Sequence, residues 1–141
     1  MRLALIGLGK MGGNMTRRMR RSGLEVVGYD RNPEVVAGLA DEVGMIAASS
    51  ALDAVDKLTT EKQLQELAPR LSRGDIVVDG GNSNYKESQR RGAWLAEQGI
   101  GFMDAGTSGG VWGLENGYCL MVGATPEVAQ TLEPVLKALA P

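Results

Sequence analysis

Histidine is absent from the 141-residue sequence, and cysteine occurs once. Without histidine there is no Ser-His-Asp or Cys-His relay, and a zinc centre loses its commonest nitrogen ligand, so no metal site is expected. The single cysteine, Cys119, excludes an internal disulfide, which suits a reducing compartment. It lies in the alternating run Tyr118-Cys119-Leu120-Met121-Val122, where a packed strand thiol is expected. Neither sign of charge dominates: the net is −2, which gives no reason to expect nucleic acid or an anionic membrane as partner. Arg17, Arg18, Arg20 and Arg21 form a basic cluster that reads as the solvated outer face of the first helix. No apolar run is long enough to span a bilayer. No signal peptide is visible, because the short apolar start opens a strand and runs straight into a glycine turn, and the expected location is the cytoplasm.

Glycine, by contrast, is plentiful, at 20 residues. The most informative are in Gly7-Leu8-Gly9-Lys10-Met11-Gly12. This turn follows the apolar run Leu3-Ala4-Leu5-Ile6 and precedes a helical pattern in which Met11, Met15 and Met19 recur. A second strand-like run, Glu25 to Tyr29, ends in Asp30. Strand, glycine turn, helix, strand and acid is the order that a dinucleotide fingerprint requires. Gly7 permits the tight turn, Gly9 permits close approach of a pyrophosphate, and Gly12 permits the helix to pack on the sheet. The free N–H groups at the helix start would face the phosphates, and Asp30 would accept from an adenosine ribose.

Downstream the pattern alternates. Asn32-Pro33-Glu34 opens a helix with proline in its first turn, and Met45-Ile46-Ala47 reads as a brief strand. A helix capped by Ser49 or Ser50 runs to about Leu58, and a second, opened by a capping box from Thr60 to Gln63, carries Leu64, Leu67 and Leu71. Two helices in succession break the alternation, so one strand is expected to be missing near Thr59–Thr60, the alternative being a direct helix–helix connection. Strands then follow at Asp75–Asp79, Ile100–Asp104 and Tyr118–Val122, with helices at about Lys86–Gln98 and Pro126–Leu139. Trp94 and Leu95 should face the sheet. Polar glycine-rich loops, Gly80 to Tyr85 and Ala105 to Gly110, follow two of these strands. In an open parallel sheet such loops border the ligand crevice. The expectation is therefore a single dinucleotide-binding domain over 1–141, α/β and Rossmann-type, doubly wound on a mainly parallel sheet.

The loops carry a resemblance. Gly7 to Gly12, Asp79-Gly80-Gly81-Asn82-Ser83-Asn84-Tyr85, and Asp104 to Gly110 continuing through Trp112-Gly113 resemble 6-phosphogluconate dehydrogenase, decarboxylating, in its shorter bacterial form. The first piece is shared with the wider β-hydroxyacid dehydrogenase superfamily, whereas Asp-Gly-Gly-Asn-Ser is particular to this branch. The resemblance implies NAD(P)-dependent oxidation of 6-phosphogluconate at C3 by hydride transfer, then loss of carbon dioxide to give ribulose 5-phosphate in the pentose phosphate pathway, without a metal. By matching positions it places Gly7, Gly9, Lys10, Met11 and Gly12 at the cofactor phosphates; Leu8, Asp30, Arg31 and Asn32 complete the expected cofactor-binding set. Asn82 would meet both nicotinamide and substrate, and Ser108, Gly109 and Gly110 the substrate's carboxylate and hydroxyl side. The family's lysine base, glutamate acid and all-helical dimerising domain would lie beyond Pro141. The chain is therefore read as a fragment of a longer, homo-oligomeric parent, with its acid–base pair unidentified.

Asp30 would repel a 2′-phosphate, which favours NAD, while Arg31 leaves NADP possible. Two alternatives remain open at this stage. One is a dehydrogenase of a smaller β-hydroxyacid such as 3-hydroxyisobutyrate. The other is a non-catalytic NAD(P)-binding module.

Overall fold

The computed structural model describes residues 1–50, 69, 71–81 and 83–141. The two helices expected on either side of Thr60, the break expected there, and Asn82 fall outside them. The described chain divides into two compact units. One takes the described residues among 1–57 with 109–118 and 135–141, and the other those among 58–108 with 119–134.

The first unit is built on a parallel sheet. Strands β1 (Arg2–Ile6), β2 (Glu25–Tyr29) and β3 (Ile46–Ala47) lie in that order, with Arg2 opposite Glu25, Ile6 opposite Tyr29, and Val27 opposite Ile46. Helix α1 (Lys10–Arg21) joins β1 to β2, and α2 (Pro33–Val43) joins β2 to β3. Local chemistry sets the bounds of α2. Asn32 accepts from the Glu34 N–H at 3.0 Å, Pro33 occupies the first turn, and Gly44 ends the helix at φ +66°. Met45 is buried, with its sulfur against the Cα of Gly28; a β-carbon there would lie 2.0 Å from Sδ.

Helix α1 departs from the sequence reading in two ways. Its buried stripe is Gly13, Thr16 and Met19, while Met11 is exposed. A glycine and a hydroxyl fit this face because α1 lies close on its neighbours, and Thr16 Oγ1 is satisfied by donating to the Gly12 carbonyl at 2.9 Å. The basic cluster, moreover, is not a solvated outer face. Arg17 grips the Glu42 carboxylate at 2.7 and 2.5 Å, and Arg20 donates to the carbonyls of Val43 and Leu24 at 3.0 Å each. Arg18 donates to four carbonyls: Leu114 at 3.0 Å, Glu115 at 3.4 Å, Ala138 at 3.2 Å and Ala140 at 2.5 Å. Helix ends leave carbonyls unpaired, and a guanidinium with five donors can gather several at once. Only Arg21, 3.6 Å from Glu115 and well exposed, behaves as a surface charge.

The second unit carries β4 (Ile76–Asp79), β5 (Gly101–Ser108) and β6 (Cys119–Ala124), with β4 and β5 parallel and β5 and β6 antiparallel. Helix α3 (Tyr85–Glu97) joins β4 to β5. It sets Leu95 into a cluster with Val77 and Ile100, against which Trp94, Phe102 and Leu71 pack, so the expected inward face of this helix is present. Strand β5 is longer than its sequence suggests. Ala105 to Ser108, read as a loop, continues the strand because β6 pairs with it as far as Ser108 opposite Cys119. After β5 come a 3₁₀ turn (Gly110–Trp112), a short helix α4 (Gly113–Asn116), and, beyond β6, helix α5 (Pro126–Leu139). Cys119 is exposed rather than packed: burial falls on Tyr118, and alternation turns the next side chain outward. Strands that alternate with helices, paired mainly in parallel within two three-stranded sheets, give the expected Rossmann-type α/β fold.

Replacing Arg18 with leucine should cost about 2–3 kcal/mol in urea unfolding, because charged hydrogen bonds to four carbonyls are lost. Arg21→Leu should stay within about 0.5 kcal/mol of wild type.

Candidate functional site

The turn between β1 and α1 shows why glycine is needed at positions 7 and 12. Gly7 has φ +88°, a conformation that other residues resist. A β-carbon on Gly12 would stand 1.9 Å from the Gly7 carbonyl oxygen, so α1 is seated directly on the turn. On Gly7 or Gly9 a β-carbon would meet nothing within 4 Å. The turn is therefore closed towards the helix and open above. Gly9 stands at the N-cap with no side-chain bond, and the first turn of α1 contains no acid. Its positive end is left for an external anion, with Lys10 and Met11 exposed at the rim. These are the properties a pyrophosphate requires, so the residues present fit a dinucleotide.

Asp30 is latched to this turn. One carboxylate oxygen accepts from the Leu8 N–H at 2.7 Å, the other from the Asn32 N–H at 2.9 Å. The Asn32 N–H above all, with that of Leu8, holds the carboxyl below the ordinary carboxylate range, against a smaller opposing effect of burial. Asp30 is thus a fixed anion beside the open turn. Arg31 is exposed next to it. Leu8 and Asn32, both expected at the cofactor, also make contacts within the protein. The Leu8 side chain is buried in the core and its N–H is engaged by Asp30, while the Asn32 amide oxygen caps α2.

The loop after β4 is organised by Asp79, to which the sequence reading gave no role of its own. Asp79 Oδ1 accepts from the Gly81 N–H at 2.9 Å, and Oδ2 accepts from Ser83 Oγ at 2.8 Å and from Arg91 Nη1 at 2.9 Å. Only 11% of the Asp79 side chain and 14% of the Arg91 side chain are exposed, so this ion pair is shielded from solvent. Asn84 closes the loop by accepting from the Lys86 N–H at 3.0 Å. The signal was an aspartate at a strand end with glycine two positions on and serine four on, the pattern of a side chain turning back on its own loop.

Ser108 is exposed at the end of β5, in the second unit. Gly109 and Gly110 belong to the first unit, at φ +139° and +50°. That unit therefore holds together the Gly7–Gly12 turn, Asp30 to Asn32, and Gly109 to Gly110. Within it Asn14 of α1 donates to the Val111 carbonyl at 3.3 Å. Under this segment lies the ring of Tyr118, fully buried; a β-carbon on Gly113 would stand 2.1 Å from it. Burial pushes the Tyr118 hydroxyl above its usual range, and the charge of Arg18 and the nearby Asn14 amide temper this without a formed hydrogen bond.

Comparison with known proteins agrees with this geometry. Residues 2–141 match the family described as the NAD binding domain of 6-phosphogluconate dehydrogenase. The NAD(+)-dependent, decarboxylating 6-phosphogluconate dehydrogenase of Haloferax volcanii is 40% identical over 154 residues, covering 99% of this chain and 50% of the relative. The decarboxylating 6-phosphogluconate dehydrogenase of Haemophilus ducreyi is 36% identical over 155 residues, covering 97% of this chain and 32% of the relative. Among solved structures, 3-hydroxyisobutyrate dehydrogenase from Salmonella typhimurium superposes with a TM-score of 0.87 at 26% identity, covering 99% of this chain and 54% of that one. The chain thus spans half or less of the length of these two curated relatives. The match to the Haloferax enzyme is 154 positions long against 141 residues in the chain, so at least 13 positions of it (154 less 141) face no residue here.

The Asp30 latch predicts a pH dependence. With its folded pKa below the unfolded one, the carboxylate's contribution is whole above the ordinary carboxylate range and is lost as pH falls through the folded value. Asp30→Asn should be less stable than wild type by about 1 kcal/mol at neutral pH, and the gap should narrow steadily in acid. Urea unfolding across a pH series measures it.

Proposed function

The chain belongs to the family of NAD-binding domains of 6-phosphogluconate dehydrogenase, and from that premise we propose that it supplies the cofactor-binding domain of an NAD-dependent, decarboxylating 6-phosphogluconate dehydrogenase. The observation that carries the cofactor half of this reading is the ionised Asp30 carboxylate, fixed by the Leu8 N–H beside an open, acid-free glycine turn. The substrate half rests on the names of its relatives and on the Asp79 to Ser83 loop.

In this reading the Gly7–Gly12 backbone and the start of α1 bind the pyrophosphate, and Lys10 and Met11 flank it. Asp30 accepts from the adenosine ribose, and Arg31 lies along the adenine side. Bound nicotinamide supplies the hydride acceptor for oxidation at C3. Asn82 and the Ser108–Gly110 segment hold the substrate, since short polar side chains and backbone N–H groups bind oxyanions with little rotamer entropy to lose. Asp79, paired with Arg91, holds Gly81 and Ser83. The chain is one domain of a longer, homo-oligomeric parent working in the cytoplasm, and the general base and general acid come from outside residues 1–141. Among the described residues no helix is long and apolar enough to cross a membrane.

Asp30 also sets cofactor choice. A fixed anion that accepts from a ribose hydroxyl repels a 2′-phosphate, so NAD should bind at least about tenfold more tightly than NADP in calorimetric titration. Tighter binding of NADP would remove the basis of the NAD assignment.

A second reading, a 3-hydroxyisobutyrate-type dehydrogenase, is favoured by the TM-score of 0.87 to such an enzyme. NADH formation by the 141-residue chain and by its parent separates the two. We expect NAD binding without turnover in the chain, and turnover of 6-phosphogluconate by the parent. Turnover of 3-hydroxyisobutyrate alone would replace the first reading with the second. Tight NAD binding with no turnover by either protein would leave a non-catalytic nucleotide module.

A further inference from the structure

Asn14 lies one turn into α1, just past the glycine turn, and its amide faces two ways. Nδ2 donates to the Val111 carbonyl at 3.3 Å, across 97 positions of sequence, and Oδ1 accepts from Arg17 Nη1 at 3.2 Å. Arg17 is itself fixed by its two bonds to Glu42, so the amide is held at its acceptor end. The segment it reaches is lightly anchored. Gly109 and Gly110 both have positive φ, and Val111 and Trp112 are 54% and 74% exposed. On either side of them Gly109 and Gly113 lie close on the buried Tyr118 ring, whose hydroxyl is near the Asn14 amide. Between those two contacts, the bond from Asn14 is a directional one that reaches the exposed middle of the segment.

We propose that Asn14 is a positioning residue that transmits seating of a dinucleotide's phosphates at the Gly7–Gly12 turn to the Gly109–Trp112 segment. The proposal rests on the cofactor reading above. An anion at the acid-free start of α1 orders that helix's first turn, which otherwise lacks a side-chain cap. Asn14 stands in the next turn and carries that order to the Val111 carbonyl. The segment assigned to the substrate is thereby stiffened when the cofactor arrives, a coupling through order rather than through a change of shape.

Amide hydrogen exchange tests this on the 141-residue chain, with ADP-ribose as the probe because it carries the pyrophosphate without a nicotinamide that could touch the segment itself. The reporter is the Gly113 N–H, which bonds to the Gly109 carbonyl at 3.1 Å. In wild type, saturating ADP-ribose should slow its exchange roughly three- to tenfold. Asn14→Asp keeps an acceptor for Arg17 but loses the donor to Val111, and Asn14→Ala loses both. Each should bind ADP-ribose within about threefold of wild type and melt at a similar temperature, yet show no slowing at Gly113. Slowing that survives in both variants, or wild type that binds ADP-ribose without slowing, overturns the proposal and leaves the cofactor reading intact. A wild-type chain that fails to bind ADP-ribose overturns both.

Discussion

Helix α1 rests on the carbonyl of Gly7 with no space for a methyl group between them, and much of the first unit follows from that contact. Because residue 12 has no side chain, the helix starts at the strand end rather than above it. Its unpaired N–H groups then emerge beside the Asp30 carboxylate instead of being held away by a side chain. The same seating presses Gly13, Thr16 and Met19 inward and sets the direction in which Asn14 and the arginines leave the helix. Affinity for an anion and attachment to the rest of the unit thus share one steric cause.

A division of labour runs along α1. Its first turn is left chemically unsatisfied, with neither cap nor acid, while Arg17, Arg18 and Arg20 in its second half are held by hydrogen bonds. A helix end that must receive a ligand cannot also be stabilised by its own side chains without competing with that ligand. The stability has to come from elsewhere, and it comes from the other end: Arg17 on Glu42, Arg18 on four carbonyls, Arg20 on two. The loop after β4 follows a similar logic. There Asp79 and Arg91 form the shielded framework, and Gly81 and Ser83 are tied to it.

Much of this was legible in the sequence. Glycine at 7 and 12, the Asn32-Pro33 helix start, and Leu95 on the inner face of α3 are local signals, and each has a local cause. What could not be read depended on partners distant along the chain. The arginine run looks solvated in sequence because its acceptors are mostly backbone carbonyls, which carry no sequence signature. Ala105 to Ser108 looks like a loop because β6, its antiparallel partner, makes it a strand. Cys119 looks buried in an alternating run, but the phase of that alternation is set by Tyr118 fitting beneath Gly113. The candidate site divides in the same way. The turn and its acid are visible as a motif, whereas the Leu8 to Asp30 bond and the Asn14 to Val111 bond exist only once the strands and helices are placed.

The contacts of Arg18 also bear on how such a sequence can drift. The guanidinium addresses backbone oxygens at 114, 115, 138 and 140 and no side chain at any of them. Every amino acid presents the same carbonyl, so those four positions can exchange residues without weakening the attachment, provided the backbone path is kept. The burden falls on one codon. A lineage could rewrite α4 and the end of α5 many times over and still require arginine at position 18, an asymmetry that a comparison of the variable and invariant partners of this contact would expose.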